Sequence, residues 1–179
     1  AQDAYVVKEP ILAAIGAGIP IQEALGRMVA DIGGGTIDVA VISLGGIVSS
    51  ISVKVAGNKL DRAIVDYVKK QYNLAIGDKT AEEIKITIGS AVPVSEEIAM
   101  NVKGRDLVSG LPRTVELKTN EIVQAMNREL REMMNAIRKV LQDTPPELAS
   151  DIIDNGIILT GGTSQLRHLP ELVYRRTGV

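Results

Sequence analysis

The stretch Asp31-Ile32-Gly33-Gly34-Gly35-Thr36 holds the residues best suited to chemistry. Val29 and Ala30 precede it, and Ile37, Val39 and Val41 alternate after it, so it reads as two strands joined by a bare glycine tip. Glycine accepts positive φ and carries no Cβ, so successive backbone N–H groups at such a tip can converge on one anion. A phosphate is the expected occupant. A carboxylate at Asp31 would repel a bare phosphate, which makes sense when Mg²⁺ and its waters lie between the two. Thr36 would then offer its hydroxyl to a phosphate oxygen or to an attacking water. The competing reading is a glycine-rich hairpin turn with a surface aspartate, since short glycine motifs match often by chance. Neither common nucleotide motif is present. There is no G-x-x-x-x-G-K-S/T, and the segment after the glycines is strand-like where a Rossmann fingerprint needs a helix.

Two further places carry chemical character. Ile157 to Thr160 leads into Gly161, Gly162 and Thr163 and then a helical pattern, whose first N–H groups offer a second phosphate or nucleotide-binding end. Alone, a plain strand-to-helix turn explains it. Glu9 stands just before Pro10, which suits the first turn of a helix, so its carboxylate either complements the helix dipole or serves a reaction. His168 is the single histidine and there is no cysteine, which excludes a multi-histidine metal site, a thiol nucleophile and a cysteine-based zinc site.

The elements that must position these residues follow from periodicity. A short strand is expected over 5–7, then a helix from Glu9 that fades at Gly16 or Gly18. The two strands of the glycine hairpin, a turn at Gly45-Gly46 and a third strand over 47–55 make an antiparallel meander. From Asn58 the pattern turns helical, with Leu60, Ile64, Val68 and Tyr72 every fourth residue. Thr80 and Glu83 have capping-box spacing and predict a second helix running through Ile88. Strands over 98–102 and 113–117 flank a loop over 103–112. This block, 57–122, reads as an insertion into the unit formed by 1–56 and 123–179. The longest helix is expected over 120–142, with Ile122, Met126, Leu130, Met133 and Ile137 on its buried face, and Pro145-Pro146 ends it before a short turn or helix over 147–151.

Composition bounds the function. The 179 residues suffice for one large or two small domains, and 45% are hydrophobic, yet Phe and Trp are absent, so the core must be aliphatic. A net charge of −2 with few aromatic rings argues against nucleic acid as a partner. No apolar run approaches the roughly 18–20 residues that span a bilayer, so the chain is expected to be soluble. It opens on Ala1 without an initiator Met and is read as a piece of something longer.

Seven segments together carry a resemblance. They are Val-Lys-Glu-Pro with Ala-Ala-Ile-Gly-Ala-Gly within 7–18, Asp-Ile-Gly-Gly-Gly-Thr at 31–36, Ala-Val-Ile-Ser-Leu-Gly at 40–45, and Thr-Ala-Glu-Glu-Ile-Lys at 80–85. Gly-Arg-Asp-Leu-Val-Ser-Gly-Leu-Pro-Arg at 104–113, Thr-Pro-Pro-Glu-Leu-Ala-Ser-Asp-Ile at 144–152 and Leu-Thr-Gly-Gly at 159–162 complete the set. Nearly end to end, the sequence resembles the C-terminal half of the MreB family of bacterial actin-like cell-shape proteins. The 104–113 and Pro-Pro-Glu-Leu segments set it apart from actin, heat-shock chaperone ATPases and sugar kinases, which share only the phosphate loops.

The resemblance implies an α/β fold, one half of an actin-like (ribonuclease H-like) ATPase, with a mixed sheet, flanking helices and a small inserted α+β subdomain. Subdomain IIA would be 1–56 and 123–179, and IIB 57–122. It implies ATP or ADP with Mg²⁺ in a cleft, Asp31 near the metal through water, and Gly33, Gly34, Gly35 and Thr36 as the second phosphate loop. Glu9 would orient or activate the attacking water with Thr36 as its hydroxyl partner. Glu82 and Lys85 would lie beside ribose and adenine, where the plain alternative is a surface charge pair on one helix. Gly161, Gly162 and Thr163 would form the adenosine-side loop. Thr163 replaces a usual third Gly and would narrow that loop, while Asn58 and Leu60 replace a usual Asp and Phe and read as repacking.

The function implied is the nucleotide-binding half of a filament-forming protein that hydrolyses ATP and polymerises head to tail under the membrane to direct rod shape and wall synthesis. Its partners would be further copies of itself, a RodZ-like membrane protein and the cell-wall elongation machinery. It would be cytoplasmic, membrane-associated as filaments, and would touch membrane only through parts outside this sequence. This half alone is expected to lack useful ATPase activity. The competing functions are half of another ATPase of the actin, chaperone and sugar-kinase superfamily, or a partner-docking module without catalysis.

Overall fold

A computed structural model describes residues 6–179. Its elements run α1 (Glu9–Gly16), β1 (Arg27–Ile32), β2 (Ile37–Ser43), β3 (Gly46–Val53), α2 (Gly57–Tyr72), β4 (Leu74–Ala75) and α3 (Asp78–Ile88). After these come β5 (Ala99–Asp106), β6 (Pro112–Lys118), α4 (Thr119–Gln142), α5 (Pro146–Asn155), β7 (Ile157–Thr160), a 3₁₀ turn over Gly162–Gln165, and α6 (Leu169–Thr177).

The first sheet has the order β3-β2-β1-β7. Its first three strands are the antiparallel meander expected from the sequence, and β7 joins β1 in parallel, which makes the sheet mixed. Side chains alternate between the two faces. Met28, Ala30 and Ile32 of β1 and Ile37, Val39 and Val41 of β2 point to the larger core, which α2 and α4 cover. Val29, Ala40 and Ile42 point to the other face, where Ala14 of α1 and Ile21 close a smaller cluster. With no Phe or Trp to fill space, Ile, Leu, Val and Met do so, among them Leu60, Ile64, Ile122 and Met126 at full burial.

A second sheet, β4-β5-β6, lies within 74–118. Three differences from the sequence reading have physical causes. The 103–112 loop is much shorter than expected, because β5 and β6 stay in register as far as Arg105 opposite Pro112. The turn beyond is then held by Asp106, whose carboxylate accepts from the Val108 and Ser109 N–H groups at 2.9 and 2.8 Å and from Arg113 at 2.9 Å. The Thr80 capping box does not form: α3 begins two residues earlier at Asp78, whose carboxylate suits the first turn, and Gly77 stands at the cap without a side-chain bond. After Gly162 a single 3₁₀ turn replaces the expected helix, and the α-helix starts only at Leu169 with a proline in its first turn. Elsewhere α5 extends to Asn155, past the short helix expected over 147–151. Of the strand expected over 5–7, Tyr5 lies outside the described residues, and Val6 and Val7 belong to no strand. Among the described residues, no helix is long and apolar enough to cross a membrane.

Candidate nucleotide site

The glycine tip closes on itself through a Gly33 N–H bond to the Thr36 carbonyl at 3.0 Å. Its carbonyls then turn toward α2. Gly33 O accepts the Gly57 N–H at 3.2 Å and Gly34 O accepts the Asn58 N–H at 2.8 Å, so the tip satisfies donors at the start of a helix that has no side-chain cap. Gly33 O also accepts the Thr163 hydroxyl at 2.8 Å. One carbonyl therefore ties together the β1–β2 tip, the start of α2 and the turn after β7. With the carbonyls spent in this way, the N–H groups of Gly34, Gly35 and Thr36 donate to no acceptor among the described residues. They are the donors an anion would need.

The glycines work differently from the expectation. None of Gly33, Gly34 and Gly35 takes a left-handed φ. At Gly34 it is the missing Cβ that matters, since one would lie 3.1 Å from Asn58 Oδ1. The left-handed requirement falls on Gly161, at φ +84, where a Cβ would come within 2.4 Å of the Ile32 carbonyl and 2.7 Å of Asp31 Oδ1.

Asp31 pairs across the sheet with Asp38 on β2 and with Thr160 on β7. By alternation all three side chains face the α1 side, continuing the row of Val29, Ala40 and Ile158. Directly opposed like charges destabilise a sheet, and neither aspartate has an ion pair among the described residues. Thr160 Oγ1 beside them is buried and has no hydrogen-bond partner among the described residues. Two carboxylates and an orphaned hydroxyl form a hard-oxygen row that suits Mg²⁺, which one or two carboxylates and a phosphate commonly hold through waters. Asp38 was invisible to motif reading, although its even spacing from Ala40 and Ile42 puts it on this face.

On the α2 side of the tip lies a cleft of about 430 Å³ between the start of α2, α3 and the 3₁₀ turn. Gly34, Glu82, Lys85, Gly162 and Thr163 all line it, together with Asn58, Ile86, Leu166 and Arg167. Gly35 and Thr36 border an adjoining depression with Asn58 and three cations, Lys54, Lys59 and Arg62. Glu9 lines neither. It is exposed in the first turn of α1, on the sheet face that carries Asp31, and has no ion pair or side-chain hydrogen bond among the described residues. Leu60 is core packing as expected, whereas Asn58 is exposed at the cleft and belongs to the site.

Lys85 does not pair with Glu82. Its Nζ lies 2.8 Å from Asp61 of α2 and 3.4 Å from the Gly57 carbonyl. Burial pushes the Asp61 carboxyl up from its ordinary value, and the hydrogen bond and charge of Lys85 oppose that shift. Arg167 donates to the Gly89 and Ile88 carbonyls at 2.8 and 2.9 Å, closing the end of α3. Thr163 is buried with its hydroxyl turned to Gly33.

The MreB/Mbl protein family model matches residues 1–179, the whole chain. The chain belongs to the MreB/Mbl family. It is 48% identical over 179 residues to the cell shape-determining protein MreB of Escherichia coli strain K12, covering all of this chain and 52% of that protein. Against Mbl of Bacillus subtilis strain 168 the identity is 47% over 169 residues, covering 94% and 51%. The chain thus spans about half the length of the curated relatives it matches. The crystal structure of MreB5 of Spiroplasma citri bound to AMPPNP superposes with a TM-score of 0.92 at 42% identity, covering 96% of this chain and 52% of that one. An ADP-bound form of the same protein gives 0.91 at 43%, covering 94% and 51%. The MamK double helical filament, at TM-score 0.79 and 22% identity, covers 98% and 52% and shares the fold. The actin-like fold expected of an MreB/Mbl chain is the one observed.

Proposed function

We propose that this chain is the nucleotide-binding half of a filament-forming MreB/Mbl protein that binds ATP or ADP with Mg²⁺ and, in the complete protein, hydrolyses ATP. The observation that carries this reading is the use of the tip's carbonyls. Gly33 and Gly34 bind α2 and Thr163 through their oxygens, which leaves the N–H groups of Gly34 to Thr36 unpaired, Gly34 at the cleft and Gly35 and Thr36 at the depression beside it. The AMPPNP and ADP bound by the Spiroplasma citri relative support it.

In this reading the tip N–H groups donate to the phosphates, and Asp31 and Asp38 are the residues that would hold Mg²⁺ through water. When bound, the metal supplies positive charge against the phosphate oxygens. Glu9 accepts a proton from the attacking water while the Thr36 hydroxyl orients it. Glu82 accepts from ribose hydroxyls, Lys85 donates at the base, and Gly161, Gly162 and Thr163 form the floor beneath the adenosine. The subdomain division at 57–122 belongs to the same proposal and is supported by the separate β4-β5-β6 sheet.

Head-to-tail polymerisation beneath the membrane, a RodZ-like membrane partner and direction of cell shape and wall synthesis extend the proposal to the complete protein. A heterologous contact whose rotation does not close yields filaments. The decisive test replaces Glu9 with alanine in the complete gene product. ATP turnover should fall at least about a hundredfold, the usual worth of a positioned base, while ATP affinity stays unchanged. Unaltered turnover would remove Glu9 from the reaction.

A further inference from the structure

Asp61 does not line the cleft but the depression beside it, which shares Asn58 and Glu82 with it, and no motif points to Asp61. Its side chain and that of Lys85 are 12% and 11% exposed, with Oδ1 and Nζ 2.8 Å apart. An ammonium group has three donors. One faces the Gly57 carbonyl at 3.4 Å, the contact with Asp61 is one of charge rather than an aligned hydrogen bond, and Lys85 lines the cleft with donor capacity to spare.

Charge gives this arrangement its meaning. The charged side chains lining the cleft are Glu82, Lys85 and Arg167, two cations against one anion. Arg167 is committed to the carbonyls that end α3, where a cation complements the helix dipole. Lys85 is therefore the cation whose field the ligand meets, and Asp61 balances it. A site end without net charge gains little from a phosphate and accepts an uncharged group without penalty. The free N–H groups of the glycine tip have the opposite character.

Building on the nucleotide-binding reading, we propose that Asp61 is a positioning residue that fixes and neutralises Lys85, so that this end of the cleft takes the uncharged nucleoside and leaves the phosphates to the glycine tip. The residue thereby sets which way round the ligand lies.

The experiment measures MgATP and adenosine affinities of the complete gene product, MgATP by calorimetry and adenosine by competition. In Asp61→Asn, Lys85 becomes an uncompensated cation, and the adenosine-to-MgATP affinity ratio should move about tenfold toward MgATP, the scale of one unit charge near a protein surface. Lys85→Met, which leaves Asp61 unopposed, should move the ratio the other way. It also serves as the test should Asp61→Asn not fold. The double variant Asp61→Asn/Lys85→Met restores neutrality and should return the ratio to within about threefold of wild type even where both affinities drop. A purely structural role would lower both affinities together and leave the ratio fixed in every variant, which overturns the proposal. A wild-type protein that binds MgATP but shows no shift in the variants refutes Asp61 alone. Failure of the wild type to bind either ligand refutes the nucleotide reading and this inference with it.

Discussion

Replacing Thr163 with valine keeps the side chain's size and deletes the hydroxyl that donates to Gly33 O at 2.8 Å. The acceptor is not orphaned, because the Gly57 N–H still reaches it at 3.2 Å. The loss therefore stays near the net worth of one hydrogen bond, about 1 kcal/mol, rather than the roughly 1–3 kcal/mol of an unsatisfied buried group. In urea unfolding this should lower the midpoint by roughly 0.5 M at unchanged slope. Thr163→Ser retains the donor and should stay within about 0.5 kcal/mol of wild type. The functional consequence is separable. Without the hydroxyl, the turn after β7 is no longer tied to the tip, and MgATP affinity in the complete gene product should fall about three- to tenfold. Equal stability and affinity of the valine variant, or a serine variant as impaired as the valine one, would show that the Gly33 junction does not organise the site.

Gly161→Ala forces a Cβ to within 2.4 Å of the Ile32 carbonyl at a left-handed φ, and should cost at least about 2–4 kcal/mol by chemical denaturation. Ile86 is 70% exposed at the cleft, so Ile86→Ala should leave folding stability within about 0.5 kcal/mol while weakening nucleotide binding about tenfold, from roughly 1–2 kcal/mol of apolar cover lost on binding. Asp106 is held below the ordinary carboxylate range, first by the Ser109 N–H and then by Arg113 and the Val108 N–H. With its folded pKa depressed, its support of the β5–β6 turn is complete above the ordinary carboxyl value and is lost as pH falls through the folded one. Amide exchange at Val108 and Ser109 should accelerate only in strong acid, and acceleration near the ordinary value would contradict this.

The parts of the fold written in local periodicity were legible. The meander announced itself by alternation broken at three glycines, and α2 and α4 by apolar residues every third or fourth position, each reflecting which face is buried. The start of α3 was misread because a capping box is a pairwise pattern that Asp78, by extending the helix one half-turn, makes unnecessary. β4 escaped because a two-residue strand has no period. The site divides in the same way. Gly34, Gly162 and Thr163 carried a glycine signal, whereas Asp61 and Arg167 act through partners 24 and 78 residues away that no local pattern connects. Glycine's tolerance of positive φ and its missing Cβ were both open to the tip, and the tip uses only the second, at Gly34. Among the glycines of the site, left-handed φ falls on Gly161, where a Cβ would also come within 2.4 Å of the Ile32 carbonyl.

The absence of Phe and Trp bears on how the cleft would hold the proposed nucleotide. Tyr67, Tyr72 and Tyr174 do not line it, so no described aromatic ring is placed to stack on a base. The apolar surface available comes from Ile86 and Leu166, which cover a flat ring by area and supply none of the ring geometry that aromatic pairs reward. Area alone separates one purine from another poorly. Under that reading discrimination would come from the few polar groups at fixed positions, Lys85 between Asp61 and Gly57 among them. The same economy would govern the proposed phosphate end, where the unpaired main-chain N–H groups of the tip would stand in for side chains. A site built from backbone, one clamped lysine and two aliphatic walls depends on its loops being held in register. Under the proposed function, binding would then depend on the Gly33 carbonyl, which joins the tip, the start of α2 and the turn after β7.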